Sequence, residues 1–250
     1  MPLVSFVCPN KDKATYIPDA LRTLTNQTLQ DIEIIIVDND STDDSRDIID
    51  TFAHKDKRII KKYISFPFDM PPAVRIDEAR NIGNRMASSD IICVADIDDW
   101  YMPNRAEITY GKLKENPQCD MFYGAYLQRD RFGNLDDKLS DHFPAVEFSK
   151  ERLKETGFFC IGHNTVGYRK KLILKYPYNT DGGVGDWGMF YNLLIKHNIK
   201  TCFTEEPLTI YRVYNNSERN LLNKQFKDYL FEKKQKKMEL MGELNNEEQR

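Results

Sequence analysis

Cysteine, histidine and glycine are all sparse in this chain of 250 residues: five, four and twelve respectively. The cysteines (Cys8, Cys93, Cys119, Cys160, Cys202) are scattered, and no C-x-x-C pair occurs. That excludes a disulfide scaffold and a zinc ribbon, and predicts reduced, mostly buried thiols acting as small core hydrophobes. No G-x-G-x-x-G follows the first strand and no G-x-x-x-x-G-K occurs, which argues against dinucleotide-dependent redox chemistry and removes P-loop chemistry. No apolar run approaches the ~20 residues needed to span a bilayer. The opening apolar stretch, Leu3–Cys8, is too short for a signal peptide and has no basic lead, so a cytoplasmic location is expected. Nor is there an excess of one charge. Lys and Arg number 36 against 39 Asp and Glu, a formal charge of −3. Without a basic field, nucleic acid is not expected as a partner.

What is present is a regular alternation of two periods. Leu3–Cys8 reads as a strand, Tyr16–Gln27 as a helix with Ile17, Ala20, Leu21 and Leu24 on one face, and Glu33–Val37 as a strand buried on both faces. Ser41-Thr-Asp-Asp44 has the pattern of a capping box opening a second helix. Arg58–Ile64 is a third strand, Asp77–Ala87 a helix, Asp90–Ala95 a fourth strand, Met102–Glu115 a helix and Asp120–Gln128 a fifth strand. This order predicts an α/β fold with a mostly parallel sheet and helices on both faces. Arg129–Ser149 loses the rhythm and reads as hairpins and loops. Beyond it come a helix near Arg152, a strand over Ile161–Tyr168, a helix over Asp186–Lys196, and strand-like pieces at Lys200–Phe203 and Leu208–Val213. There is no internal repeat.

Two predicted parallel strands run into acid: Asp38 and Asp40 after one, Asp96, Asp98 and Asp99 after the other. The carboxyl ends of parallel strands share one edge, where open α/β sheets bind ligands. Carboxylates crowded on such a rim raise one another's pKa unless a cation compensates. Oxygen ligands suit Mg²⁺ or Mn²⁺, and a metal so held can in turn bind phosphate. For Asp40, Asp43 and Asp44, helix capping and turn formation are the preferred account.

Several blocks together carry a resemblance. Ser5-Phe-Val-Cys-Pro-Asn-Lys11, Leu24-Thr-Asn-Gln-Thr28, Ile34-Ile-Ile-Val-Asp-Asn-Asp-Ser-Thr-Asp43, Ala79-Arg-Asn-Ile-Gly83 and Ala95-Asp-Ile-Asp-Asp-Trp100 resemble, in order and spacing, the inverting family 2 glycosyltransferases of GT-A fold. The last block looks like the D-x-D motif. Ile161-Gly-His-Asn-Thr-Val-Gly-Tyr-Arg169, Gly185-Asp-Trp187 and Leu208-Thr-Ile-Tyr-Arg-Val-Tyr214 are similar to the spore-coat polysaccharide subgroup, with Tyr214 where the family carries His.

The resemblance implies a single GT-A domain: a nucleotide-sugar-binding half over 1–128, a mixed acceptor-binding half over 129–215, and a helical tail over 216–250. It implies a nucleoside diphosphate sugar as donor, UDP-linked by family habit, and an acceptor that is a glycan, a lipid-linked sugar or a protein. Pro9 and Lys11 would line the base pocket, Asp38 would accept a hydrogen bond from the base, and Arg80 would approach base or phosphate. Asp96 would hold the ribose or a metal-bound water, Asp98 a Mn²⁺ or Mg²⁺ ion, and Arg212 would clamp phosphate. Asp186 would be the general base, a role compatible with capping its helix. His163, Trp187 and Asp99 form a second tier at the acceptor or metal, with core packing or loop support as the other reading of each.

The competing readings are a degenerate nucleotide-binding module that has lost turnover, and a nucleotidyltransferase. The latter favours a Gly-rich loop after the first strand, and Pro9-Asn-Lys-Asp-Lys13 has no Gly. The tail, with Phe226, Tyr229 and Leu230 among lysines, reads as a helix packed on the domain or against a second copy of the chain. A basic helix lying on a membrane surface is the alternative.

Overall fold

A computed structural model provides the architecture, and the residues described are 1–67, 70–130, 132–134, 142–156, 158–178 and 185–213, with single positions at 235, 238, 239 and 242. Tyr214 and, apart from those four positions, the predicted tail lie outside the described residues.

The first half follows the alternation of the sequence. Strand β1 (Val4–Asn10) leads to helix α1 (Ile17–Thr25), β2 (Ile32–Asn39) to α2 (Ser45–Lys55), β3 (Ile59–Ile64) to α3 (Pro72–Met86), and then comes β4 (Ile91–Val94). These strands pair in parallel in the order β3-β2-β1-β4. Every residue of β2 is buried, because alternate side chains enter cores on opposite faces of the sheet. Val7, Ile35 and Val37 pack with Ala79, Ile82 and Met86 of α3. Phe6, Ile34 and Ile36 pack on the other face with Ile17, Leu21 and Leu24 of α1 and Ile49 of α2. Each of these large aliphatic side chains contributes about 1.5–3 kcal/mol on burial.

Helix α3 lies unusually close to β1. A Cβ placed on Gly83 would stand 2.4 Å from Cγ1 of Val7, a core side chain with no room to retreat. Gly83→Ala is therefore expected to lower stability by about 1–3 kcal/mol, seen as a lower urea midpoint at unchanged slope. A midpoint equal to wild type would show that α3 can move off the sheet.

The rest of the chain completes the same sheet: β5 (Trp100–Tyr101), α4 (Arg105–Glu115), β6 (Met121–Asp130), β7 (His142–Phe143), α5 (Lys150–Thr156), β8 (Gly167–Arg169), α6 (Lys170–Lys175), α7 (Gly185–Phe190) and β9 (Thr201–Val213). β8 inserts antiparallel between β4 and β6, β9 runs parallel to β6, and β5 and β7 pair antiparallel with β9 and β6. The result is a nine-stranded mixed sheet shared by both halves of the chain.

Several expectations need correction. The strand predicted over Ile161–Tyr168 is extended only at Gly167–Arg169; His163–Thr165 form a 3₁₀ turn. Side chains decide this. Thr165 Oγ1 donates to the Gly162 carbonyl and accepts from the Gly124 amide, while His163 and Asn164 reach out to Tyr178 and Asp99. The two strand pieces after Lys200 are one strand, bulged where Pro207 cannot donate to the ladder. The helix predicted over Asp186–Lys196 begins at Gly185 and widens into a π-helical turn over Tyr191–Lys196. The expected capping box does not form. α2 starts at Ser45, and Ser41 Oγ is drawn instead to the buried carboxylate of Asp38. Cys8, Cys93 and Cys119 are buried free thiols as expected, whereas Cys160 is exposed. No helix among the described residues is long and apolar enough to cross a membrane.

Candidate active site

β1, β2 and β4 end on one edge of the sheet, and a cleft of about 270 Å³ opens there. The end of β1 contributes Pro9 and the turn after it Lys11 and Lys13; α3 contributes Arg80; the turn after β4 contributes Asp96, Asp98 and Asp99. Six of the residues singled out from sequence thus meet in one place: Pro9, Lys11, Arg80, Asp96, Asp98 and Asp99. Asp38, Arg212, His163, Asp186 and Trp187 do not line this cleft.

Asp38 is fully buried beneath it. Its Oδ2 accepts from Asn10 Nδ2 (2.6 Å) and Ser41 Oγ (2.5 Å), and its Oδ1 from the Ser41 amide (3.1 Å) and Arg46 Nε (3.0 Å). With those acceptor positions taken by the protein, Asp38 ties the ends of β1 and β2 together rather than facing a base. Lys11 is held nearby, its Nζ donating to the Asp40 carbonyl. Asp12 and Asp40 adopt positive φ (50° and 53°) in the turns after these strands, a conformation that Asp tolerates better than most residues.

The three acids after β4 have three different fates. Asp96 pairs with Arg80 at 2.8 Å, and Arg80 also reaches Asp77 at 3.3 Å. Burial works against the Asp96 charge, yet the Arg80 guanidinium, aided by His163, holds its carboxyl well below the usual carboxylate range. Burial equally opposes the charge on Arg80, and Asp96 and Asp77 outweigh it. Asp98 faces the cleft and pairs with Lys13 Nζ at 2.8 Å. Asp99 turns inward, accepting from Asn164 Nδ2 (2.7 Å) and the Arg212 amide (2.9 Å). Burial, with the nearby charges of Asp98 and Asp96, pushes the Asp99 carboxyl up. Arg105 braces this turn from behind. It is fully buried against the rings of Tyr101 and Phe6 and donates to the Val94 carbonyl, while Tyr101 Oη donates to that of Asp96.

Arg212 was expected at a phosphate. Its guanidinium instead lies 3.6 Å from the ring centroid of Trp100 and 4.7 Å from that of Tyr16, with Asp19 at 3.7 Å. Strand alternation is the reason: Tyr211 faces the cleft, so its neighbour points to the other side. Sequence reasoning missed Tyr211 and Lys13. Lys13 carries no periodic signal, because it lies in the turn after β1, where Asp12 has φ +50°.

A second cleft, of about 460 Å³, holds Asp186 and Trp187. Gly185 has φ +55°, which suits glycine and sets the start of α7, so that Asp186 lies in its first turn. Trp187 packs edge-on to Phe159 (5.2 Å) and stacks on Tyr191 (5.5 Å). Tyr126, Phe143 and Phe158 add aromatic wall, and Arg152 adds a cation. The segment 161–163 separates the two clefts. Gly162 lines the second, while buried His163 approaches the first, its Nδ1 lying 3.9 Å from Asp96 Oδ2 and its Nε2 2.8 Å from Tyr178 Oη.

The result is an α/β domain in which the carboxyl edge of parallel strands opens into an acid-lined cleft, with an aromatic cleft nearby. The family can be stated directly: the chain belongs to glycosyl transferase family 2, whose model matches residues 5–174. It is 34% identical over 134 residues to an uncharacterized glycosyltransferase of Haemophilus influenzae, covering 54% of this chain and 51% of that protein. The chain spans about half the length of the curated relatives it matches first. Its fold resembles that of S. aureus TarS 1–349 in complex with UDP (TM-score 0.62, 14% identity, 98% of this chain and 71% of that one). It also resembles the mannosyltransferase PcManGT of Pyrobaculum calidifontis in complex with GDP-Man and Mn²⁺ (TM-score 0.62, 15% identity, 85% and 57%). The fold is GT-A.

Proposed function

We propose that the chain transfers a sugar from a nucleoside diphosphate sugar to a hydroxyl acceptor, with inversion at the anomeric carbon, in glycan or polysaccharide assembly. The observation that carries this reading is the meeting of Asp96, Asp98, Arg80 and Lys13 in one cleft at the carboxyl edge of β1, β2 and β4, in a family 2 chain. The complexes of similar fold with UDP and GDP-Man make these the first nucleotides to try.

In this reading Pro9 and Lys11 border the base, and the Arg80–Asp96 pair forms a fixed polar wall beside the ribose. Asp38 shapes the floor without touching the ligand. Among the described residues no group of three or more His, Cys, Asp or Glu is placed to hold a metal. Asp98 nevertheless offers the cleft a hard carboxylate oxygen of the kind Mg²⁺ and Mn²⁺ take, and is the residue that would hold such an ion. Such an ion, when bound, neutralises the charge that grows on the leaving diphosphate. Asp186, on the other cleft, takes the proton of the acceptor hydroxyl as it attacks. Attack from the side opposite the diphosphate inverts the anomeric centre. Trp187 and its aromatic neighbours offer faces on which an acceptor sugar can stack.

Thermal melting against nucleoside diphosphates and their sugars, with and without Mn²⁺, tests the donor site. A ligand at ~100 times its dissociation constant adds about 2.7 kcal/mol, a rise of roughly 5–10 °C in a chain of this size. One base should stand out, with a larger shift when Mn²⁺ is present. A folded protein that responds to none of them would sink the reading.

A further inference from the structure

The acids after β4 are each matched to a partner from elsewhere in the chain, but the matches differ in kind. Asp99 is buried with neutral partners, and Arg80 holds Asp96 with little of its own side chain exposed. The Lys13–Asp98 pair stands in the cleft, with side chains 34% and 20% exposed. The backbone that carries Lys13 is pinned on three successive amides: Asp12 N to Ser41 Oγ (2.8 Å), Lys13 N to Ser45 Oγ (3.2 Å) and Ala14 N to Asp43 Oδ2 (2.9 Å). The root of the side chain is therefore fixed, while its four-carbon stem is able to swing. Asp98 holds the ammonium charged against the opposing effect of burial.

Asp98 is also the carboxylate best placed for a divalent ion. An ammonium and such an ion cannot occupy the same carboxylate oxygen, and like charges that close repel strongly. We infer that Lys13 is a counter-cation built into the metal subsite: it neutralises Asp98 before nucleotide arrives, excludes a divalent ion from binding alone, and passes to the diphosphate when the donor enters. This rests on the proposed donor site. Metal and nucleotide then favour each other's binding, and by linkage the factor is the same in both directions. Lys13 is a positioning residue that makes this factor large.

The test is Mn²⁺ binding to the full chain, read from the EPR signal of the free ion, with and without UDP. Lys13→Gln should tighten Mn²⁺ binding to the UDP-free protein by about tenfold. With saturating UDP its Mn²⁺ affinity should stay within about threefold of wild type, so the coupling factor falls by a similar tenfold. Lys13→Arg, which keeps the charge, should retain weak UDP-free binding. Adding Asp98→Asn to Lys13→Gln should erase the gain. An unmoved UDP-free affinity in Lys13→Gln, or a gain that survives Asp98→Asn, overturns the inference. The two possible failures are distinct: no UDP binding by wild type sinks the donor site, whereas UDP binding with unmoved Mn²⁺ affinity sinks the role of Lys13 alone.

Discussion

Replacing Asp186 by asparagine is expected to lower the rate of sugar transfer by about 10²–10⁴-fold, the range that removal of a general base gives, and to leave nucleotide affinity unchanged. The split follows from the geometry. Asp186 lines the aromatic cleft and not the cleft proposed for the nucleotide, so in that reading it meets an acceptor hydroxyl without helping to hold the donor. Asparagine has nearly the same shape and is equally at home at a helix start, so loss of fold would not explain loss of rate. Steady-state kinetics give the rate, and the UDP-induced melting shift gives the affinity. Turnover within about tenfold of wild type would place the base elsewhere, outside the range of this kind of catalysis.

The second large effect falls on stability. Asp96→Asn keeps the outline of the side chain but leaves Arg80, 13% exposed in its side chain, without its nearest countercharge. Breaking a largely buried ion pair from one side costs about 3 kcal/mol, measurable as a fall in unfolding free energy in urea at neutral pH. Asp77 remains at 3.3 Å to hold part of the charge, so the lower end of the usual range is expected. The pH dependence gives an independent check. The folded Asp96 carboxyl is depressed below its unfolded value near 3.9. Its contribution is thus full above that value and fades as pH falls toward the folded one. The gap between variant and wild type should therefore narrow below about pH 4. A variant within about 1 kcal/mol of wild type at neutral pH, the scale of an exposed pair, would mean that water screens the pair.

These residues also show what a sequence can reveal. The acids after β4 were legible because a short, wholly apolar run ending in Asp96-Ile-Asp-Asp99 leaves the chain little choice: the run is buried and its end faces the ligand edge. β1 and β2 were legible for the same reason, as near-continuous apolar runs buried on both faces, and the period of 3.6 on α1 was intact. Asp38 shows the limit. It ends a buried apolar run just as Asp96 does, but beside the nearby Ser41 its partners are Asn10 and Arg46, one 28 residues away and one from the next helix. Nothing local to Asp38 reports them. Arg212 is a similar case, since its charge is settled by two rings, Trp100 and Tyr16, distant in the chain. The strand order of the second half was equally hidden. β8 pairs with β4 across more than 70 residues of chain, and a three-residue strand has no period to read.

The inward turn of Asp99 has a consequence for how the protein is made. Its carboxylate is satisfied by the Asn164 side chain, 65 residues later, and by the Arg212 amide, 113 residues later. At ~5–20 residues per second, a ribosome needs roughly 6–23 s after synthesising Asp99 to deliver Arg212. For that interval a nascent chain can assemble β1 through β4, but the acid turn has no finished support and the edge of β4 has no β8. Nucleotide affinity should therefore appear late and abruptly along a series of stalled chains, only after β9 has cleared the exit tunnel.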